Sequence, residues 1–139
     1  MSPQTQATSR QVDGPLLKVT DLRTAFRTER GLVKSVDGVS FTLDRGKSLG
    51  IVGESGSGKT VLSRSIMGLL PKRNTERSGS VMFEGQEIID LSLKDRRKIW
   101  GREMSMIFQD PMTSLNPVMR VGKQIGEGLR MHLGMSKDD

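Results

Sequence analysis

The chain has 139 residues, 34% hydrophobic and 4% aromatic, with one Trp, no Tyr and nine Met, enough for one modest domain or part of one, with a core of Val, Ile, Leu and Met. Its 22 Lys and Arg against 16 Asp and Glu leave a charge of +6, which suits nucleic acid, anionic lipid or a polyphosphate equally and therefore selects none of them. The absence of cysteine excludes a disulfide framework or thiolate metal site within these residues, and no apolar run reaches the roughly 18 residues of a membrane-spanning helix.

Residues 1–14 are rich in Ser, Thr and Gln and include Pro3 and Gly14, so they are expected to form a flexible tail without a signal-peptide core. Leu16 to Phe26 reads as a β segment, and Val39, Phe41 and Leu43 alternate with Ser40, Thr42 and Asp44 as in a half-buried strand. After a turn at Asp44-Arg45-Gly46, Ser48 to Val52 is predicted to be a short apolar strand leading into Gly53, Gly56 and Gly58. A helix follows, with Leu62, Ile66, Leu69 and Leu70 on one stripe, Arg64 on the other side and Pro71 as its stop.

Gly79 to Ile88 predicts a hairpin about Glu84-Gly85, and Ser92 with Asp95 resembles a capping pair ahead of a short helix at Arg96 to Trp100. Met104, Met106 and Phe108 alternate with Ser105 and Ile107 as a further strand, ended by Gln109-Asp110-Pro111 and a loop to Pro117. Val121, Ile125 and Leu129 mark a last helix. On it, His132 is read as a packed or interface residue, and the run Lys94, Arg96, Arg97 and Lys98 as a solvated face with no ligand.

Residues 53–60, Gly-Glu-Ser-Gly-Ser-Gly-Lys-Thr, satisfy the phosphate-loop pattern in its required strand–loop–helix context. Glycines let successive backbone N–H groups of Gly53, Glu54, Ser55, Gly56, Ser57 and Gly58 curl around a phosphate with no side chain in the way. The helix that starts near Lys59, Thr60 and Val61 adds free N–H groups and the positive end of its dipole. Lys59 can bridge β- and γ-phosphate oxygens, and the Thr60 hydroxyl can ligate magnesium. The ligand implied is a nucleoside triphosphate, ATP with Mg2+ before others.

Val52-Gly-Glu-Ser-Gly-Ser-Gly-Lys-Thr60 followed by Ile107-Phe-Gln-Asp-Pro-Met-Thr-Ser-Leu-Asn-Pro117, with Val36-Asp-Gly-Val-Ser-Phe41 upstream, resembles the ATP-binding subunits of ABC transporters, in particular the oligopeptide and dipeptide importers. The resemblance covers residues 16 to about 135. It implies an α/β P-loop NTPase of ABC type: a RecA-like parallel-sheet core with an N-terminal antiparallel β subdomain, residues 15–139 being the N-terminal portion, truncated in the helical subdomain. It makes Gln109 the Q-loop glutamine, catalytic with Lys59 and a magnesium ligand with Thr60, and Phe26 the aromatic that stacks on adenine. It implies as partners the membrane-spanning permease subunits, a second ATP-binding subunit and, indirectly, an extracytoplasmic solute-binding protein, with no nucleic acid, at the cytoplasmic face of the inner membrane as a peripheral protein.

The signature sequence, the Walker B Asp-Glu pair and the switch histidine of that family do not occur; the later acidic residues Glu127, Asp138 and Asp139 follow no apolar strand. The chain is therefore expected to bind nucleotide without turning it over, and to leave apolar surface and a sheet edge uncovered. Two other readings share the motif. One is a soluble ABC-type ATPase of DNA repair or chromosome structure, against which the Asp110-to-Pro117 text and the lack of a heptad run count; the other is a non-hydrolysing nucleotide-binding remnant.

Overall fold

The computed structural model describes residues 14–109 and 115–136; the expected tail therefore lies, but for Gly14, outside the described residues, as do Asp110 to Ser114 of the Q-loop region. The chain divides into two compact units at Leu91/Ser92. In the first, β1 (Leu17–Thr28) and β2 (Gly31–Leu43) form an antiparallel hairpin, joined by Glu29 and Arg30 between the paired Thr28 and Gly31. Strands β3 (Thr75–Phe83) and β4 (Gln86–Glu87) complete a four-stranded sheet of order β2-β1-β3-β4. The β3–β4 turn is at Glu84-Gly85 as expected, with φ +50° and +78°, the paired positive values that suit the twist of a two-residue hairpin.

Val19 and Leu22 are both buried although they are three apart, which simple alternation forbids. A bulge reconciles them. Asp21 has φ +45°, its N–H donates to Ser40 Oγ at 2.8 Å, and the β1–β3 register shifts between Thr20 and Arg23, so the inward set changes parity. Gly79 makes room: a β-carbon there would lie 2.5 Å from the Asp21 carbonyl oxygen. Val81, Phe83, Val36, Ile88 and Ile89 complete this core with Leu62 and Ile66 of the helix α1 (Lys59–Met67).

Helix α1 ends earlier than the sequence pattern implies. Gly68 takes a left-handed φ of +67°, its N–H donates to the Ser65 carbonyl at 3.1 Å, and the Leu69 N–H donates to that of Arg64 at 2.9 Å. This pair of bonds closes a helix at its glycine, so Leu69 and Leu70 lie beyond it and Pro71 is not the stop. The predicted strand at Ser48 to Val52 is not formed. These residues join no ladder, and Val52 is 94% exposed; an apolar parallel strand needs neighbours on both edges and cover on both faces, and no described strand pairs with it.

The second unit carries α2 (Leu93–Ile99) and α3 (Val121–Leu133). The expected capping pair is present: the Asp95 N–H donates to Ser92 Oγ at 3.2 Å, and the Ser92 hydroxyl donates to Asp95 Oδ2 at 2.7 Å. The hydrogen bond from Lys98, then that from Ser92, holds the Asp95 carboxyl below its ordinary range. The basic run is not uniformly solvated. Lys94, Arg97 and Lys98 are exposed, but Arg96 is buried at 6% exposure, because helical periodicity puts it on the inward face with Ile99, three residues on. Residues 104–108 form no strand beyond a bridge from Trp100 to Met104, and Ile107 is 97% exposed, again an apolar segment that no described strand covers. The His132 ring occupies the place a side chain at Gly101 would take, in keeping with a packed histidine.

Glu87 ties β4 to β3: its Oε1 accepts from the N–H groups of Val81 (2.9 Å) and Ile89 (3.0 Å), and its Oε2 accepts from the Ser80 hydroxyl at 2.5 Å. Burial pushes this carboxyl up, but the hydrogen bonds from Ser80 and from the amides of Ile89 and Val81 outweigh it, and the net displacement is downward. A carboxyl lowered on folding contributes stability that is complete above its unfolded pKa and is lost as pH falls through the folded one. Thermal melts of Glu87→Gln are expected to show a lower Tm at neutral pH and a shallower loss of Tm below about pH 4.5 than the unaltered chain.

Candidate functional site: the loop at the start of helix α1

Residues 53–58 form a turn and a cap. The Ser57 N–H donates to the Glu54 carbonyl at 3.2 Å, and Gly56, third in this turn, has φ +83°, a value that glycine adopts without steric cost. Gly58, with φ +88°, precedes the first helical residue, Lys59, and provides no side-chain cap; its carbonyl accepts the first helical bond, from Leu62 N–H at 2.8 Å. The N–H groups at the start of α1 therefore have no side-chain oxygen from the N-cap over them, as an anion-receiving helix end requires.

Lys59 folds back into the loop. Its Nζ donates to the carbonyls of Gly53 and Glu54, each at 2.7 Å, and to Ser57 Oγ at 3.2 Å. A β-carbon on Gly53 would come within 2.6 Å of Ser57 Oγ and 3.9 Å of the Lys59 amine, so glycine keeps the interior of the loop open to that cation. Thr60 is exposed and Val61 half-buried. These features fit a polyphosphate: uncapped backbone donors, the Lys59 amine and the exposed Thr60 follow one another at the start of α1, and magnesium commonly takes few protein ligands beside phosphate oxygens.

The loop meets the sheet at Ser35. Between the pairs Thr24–Val36 and Ala25–Lys34 the β2 strand carries Ser35 as an extra residue, and the Ser35 carbonyl oxygen stands where a β-carbon on residue 58 would be. Phe26 is half-buried and pairs with Val33, two residues from Ser35, roughly 7 Å along the strand. Gln109 is exposed at the edge of the described residues of the second unit. The sequence-predicted residues 53–61 are thus contiguous around one loop, Phe26 lies on the strand alongside, and Gln109 belongs to the other unit. A cleft of about 330 Å3 on the sheet, walled by Arg23, Lys34, Asp37, Glu76 and Arg77 among others, includes no residue of the loop.

Sequence reasoning missed the contacts that hold the loop's helix. The Thr24 and Ser65 hydroxyls are 2.8 Å apart and buried at 1% and 0% exposure. Arg77 Nη1 donates to the Ser65 carbonyl at 3.0 Å, and its Nη2 to the carbonyl of Ile89. One signal was available: Ser65 lies beside Leu62 and Ile66 on the buried stripe, and a buried hydroxyl requires a partner.

The order antiparallel hairpin, apolar segment, glycine loop and helix defines a fold of the P-loop class. The family model described as ABC transporter matches residues 36–138, and the chain belongs to that family. It is 51% identical over 124 residues to the oligopeptide transport ATP-binding protein OppD of Bacillus subtilis, covering 88% of this chain and 35% of that protein. It is 50% identical to the dipeptide transport ATP-binding protein DppD of Lactococcus lactis, covering 89% and 36%, and 52% identical to OppD of Salmonella typhimurium, covering 88% and 36%. The chain spans about a third of the length of these relatives. A solved dimeric bacterial ABC transporter cassette shares the fold with a TM-score of 0.74 at 20% identity, over 88% of this chain and 51% of that one. A second structure, of a cassette bound to ADP and Pi, has a TM-score of 0.71 at 20% identity over the same shares. The fold is therefore the ABC-type α/β P-loop architecture, with its antiparallel β subdomain formed among the described residues.

Gly58→Ala is expected to cost about 1–2 kcal/mol for the left-handed conformation alone, and more from overlap with the Ser35 carbonyl. Hydrogen exchange should show lost protection at residues 59–62, whereas Gly46→Ala, where a β-carbon meets nothing within 4 Å, should leave those amides unchanged.

Proposed function

We propose that this chain binds ATP with Mg2+ through Gly53 to Thr60 and that, within the whole protein, ATP binding and hydrolysis energise import of peptides or related small solutes across a membrane. The observation that carries the reading is the Lys59 amine held inside the glycine loop at the start of α1 by the carbonyls of Gly53 and Glu54. On nucleotide binding Lys59 exchanges these carbonyls for phosphate oxygens, the N–H groups of residues 54–60 face the phosphates, and Val61 packs behind the first turn. Thr60 would hold magnesium, with Gln109 as the second protein ligand; the ion would supply charge neutralisation between the phosphates. Phe26 would stack on adenine, and Gln109 would orient the attacking water through its amide.

The match to peptide-importer ATP-binding proteins supports the remaining assignments. The protein would pair with a second ATP-binding subunit, dock on membrane-spanning permease subunits at the cytoplasmic face of the inner membrane, and depend indirectly on an extracytoplasmic solute-binding protein. No helix among the described residues is long and apolar enough to cross a membrane. Residues 15–139 would be the N-terminal portion of the ATP-binding domain. Turnover would need a general base and a Walker B carboxylate that these 139 residues do not supply.

Titration of the chain with ATP and Mg2+ should give saturable binding that Lys59→Ala weakens at least about tenfold, near 1.4 kcal/mol; equal affinity would refute the site. Phosphate-release assays on the same 139 residues should show no Lys59-dependent hydrolysis.

A further inference from the structure

Helix α1 has nine residues and a glycine at each end, without a side-chain N-cap, so its placement depends on tertiary contacts. Leu62 and Ile66 bury apolar surface, but such contacts are non-directional and tolerate sliding and rotation. The directional contacts converge on Ser65. Its hydroxyl pairs with Thr24 Oγ1, and its carbonyl accepts from both the Gly68 N–H at 3.1 Å and Arg77 Nη1 at 3.0 Å. The Arg77 guanidinium also donates to the carbonyl of Ile89, so one rigid plane links β3 to α1 and to the segment after β4. Its positive charge stands at the negative end of the helix, and a lysine could not reproduce the fork.

We propose that Arg77, acting with the Thr24–Ser65 hydroxyl pair, is a positioning residue for the phosphate loop. Ser65 and the Ser35–Gly58 contact are two fixed points near opposite ends of α1, and two points define an axis. Lys59 and Thr60 lie next to one of them, about 9 Å of helix from the other. Releasing Ser65 lets the helix turn about its glycine, which moves the Lys59 amine and the Thr60 hydroxyl relative to any phosphates. The inference rests on the phosphate-loop reading above.

The test compares ATP with Mg2+ against AMP for the unaltered chain, Arg77→Met, Arg77→Lys and Thr24→Val, well below each variant's melting temperature. The expected result is a loss of ATP affinity of about three- to tenfold in Arg77→Met, a smaller loss in Arg77→Lys, and AMP affinity unchanged, because misplacement falls on the groups that meet the β- and γ-phosphates. Thr24→Val should also weaken ATP, and combined with Arg77→Met should cost less than the sum, as both act through Ser65. ATP affinity unchanged in Arg77→Met, or ATP and AMP affinities falling in equal proportion, would overturn the proposal. If Arg77→Met does not fold, Arg77→Lys and Thr24→Val carry the same comparison. Lys59→Ala separates the two levels: if it binds ATP like the unaltered chain, the phosphate-loop reading fails, whereas weakened binding by Lys59→Ala beside unaffected Arg77 variants sinks only the positioning role.

Discussion

The carbonyl oxygen of Ser35 occupies the space that a side chain at residue 58 would need, and the geometry of the site follows from that steric fact. Ser35 is the extra residue of a bulged strand, so its carbonyl is free to leave the ladder and face the loop. Gly58 accepts the close approach because it has no β-carbon, and its left-handed backbone then turns the chain into α1. The glycine that ends the loop is therefore constrained from two sides: from within, by the need for bare backbone donors, and from outside, by the antiparallel sheet. A motif glycine usually credited to ligand approach here also serves as a packing contact.

Around that contact the first unit uses polar groups where a minimal core would use methyls. Thr24 and Ser65 meet in a fully buried place, and Glu87 receives three donors where β3 meets β4. A buried polar group costs little only when each donor and acceptor is matched, which admits a narrower set of arrangements than apolar packing does. The compensation for a chain that is 34% hydrophobic is directional rather than volumetric. The apolar segments at 48–52 and 104–108 are the converse, carrying core-type residues in the open.

What could be read from the residue string was what a short stretch determines by itself. The helix start behind the glycines at Lys59, the Glu84-Gly85 turn and the Ser92–Asp95 cap each depend on neighbours within a few positions, and each is present. Gly68 was equally local, yet the apolar stripe running on to Leu70 and the nearby Pro71 obscured it; the left-handed cap competes with periodicity and prevails. The bulges at Asp21 and Ser35 were not legible, because an inserted residue is defined by its partner strand. Ser65 was half-legible, as a hydroxyl on an apolar stripe, but its partners are 41 and 12 positions away and no motif joins them. At 48–52 and 104–108 the apolar residue types predicted strands that the described structure does not form, because pairing is a property of the neighbours.

The self-satisfied lysine has a consequence of its own. With its ammonium group bonded to Gly53, Glu54 and Ser57, the curvature of the loop is held by bonds within it, so on the function proposed above an incoming phosphate would meet a mould instead of a slack thread. Binding would then be an exchange reaction, in which the ammonium trades neutral carbonyl partners for charged oxygens while the loop keeps its shape. The ordering entropy of the glycines would then be met when the chain folds, not when a ligand arrives. The same trade would discriminate between ligands: one that offers too few anionic oxygens would not displace the two carbonyls that the cation already holds.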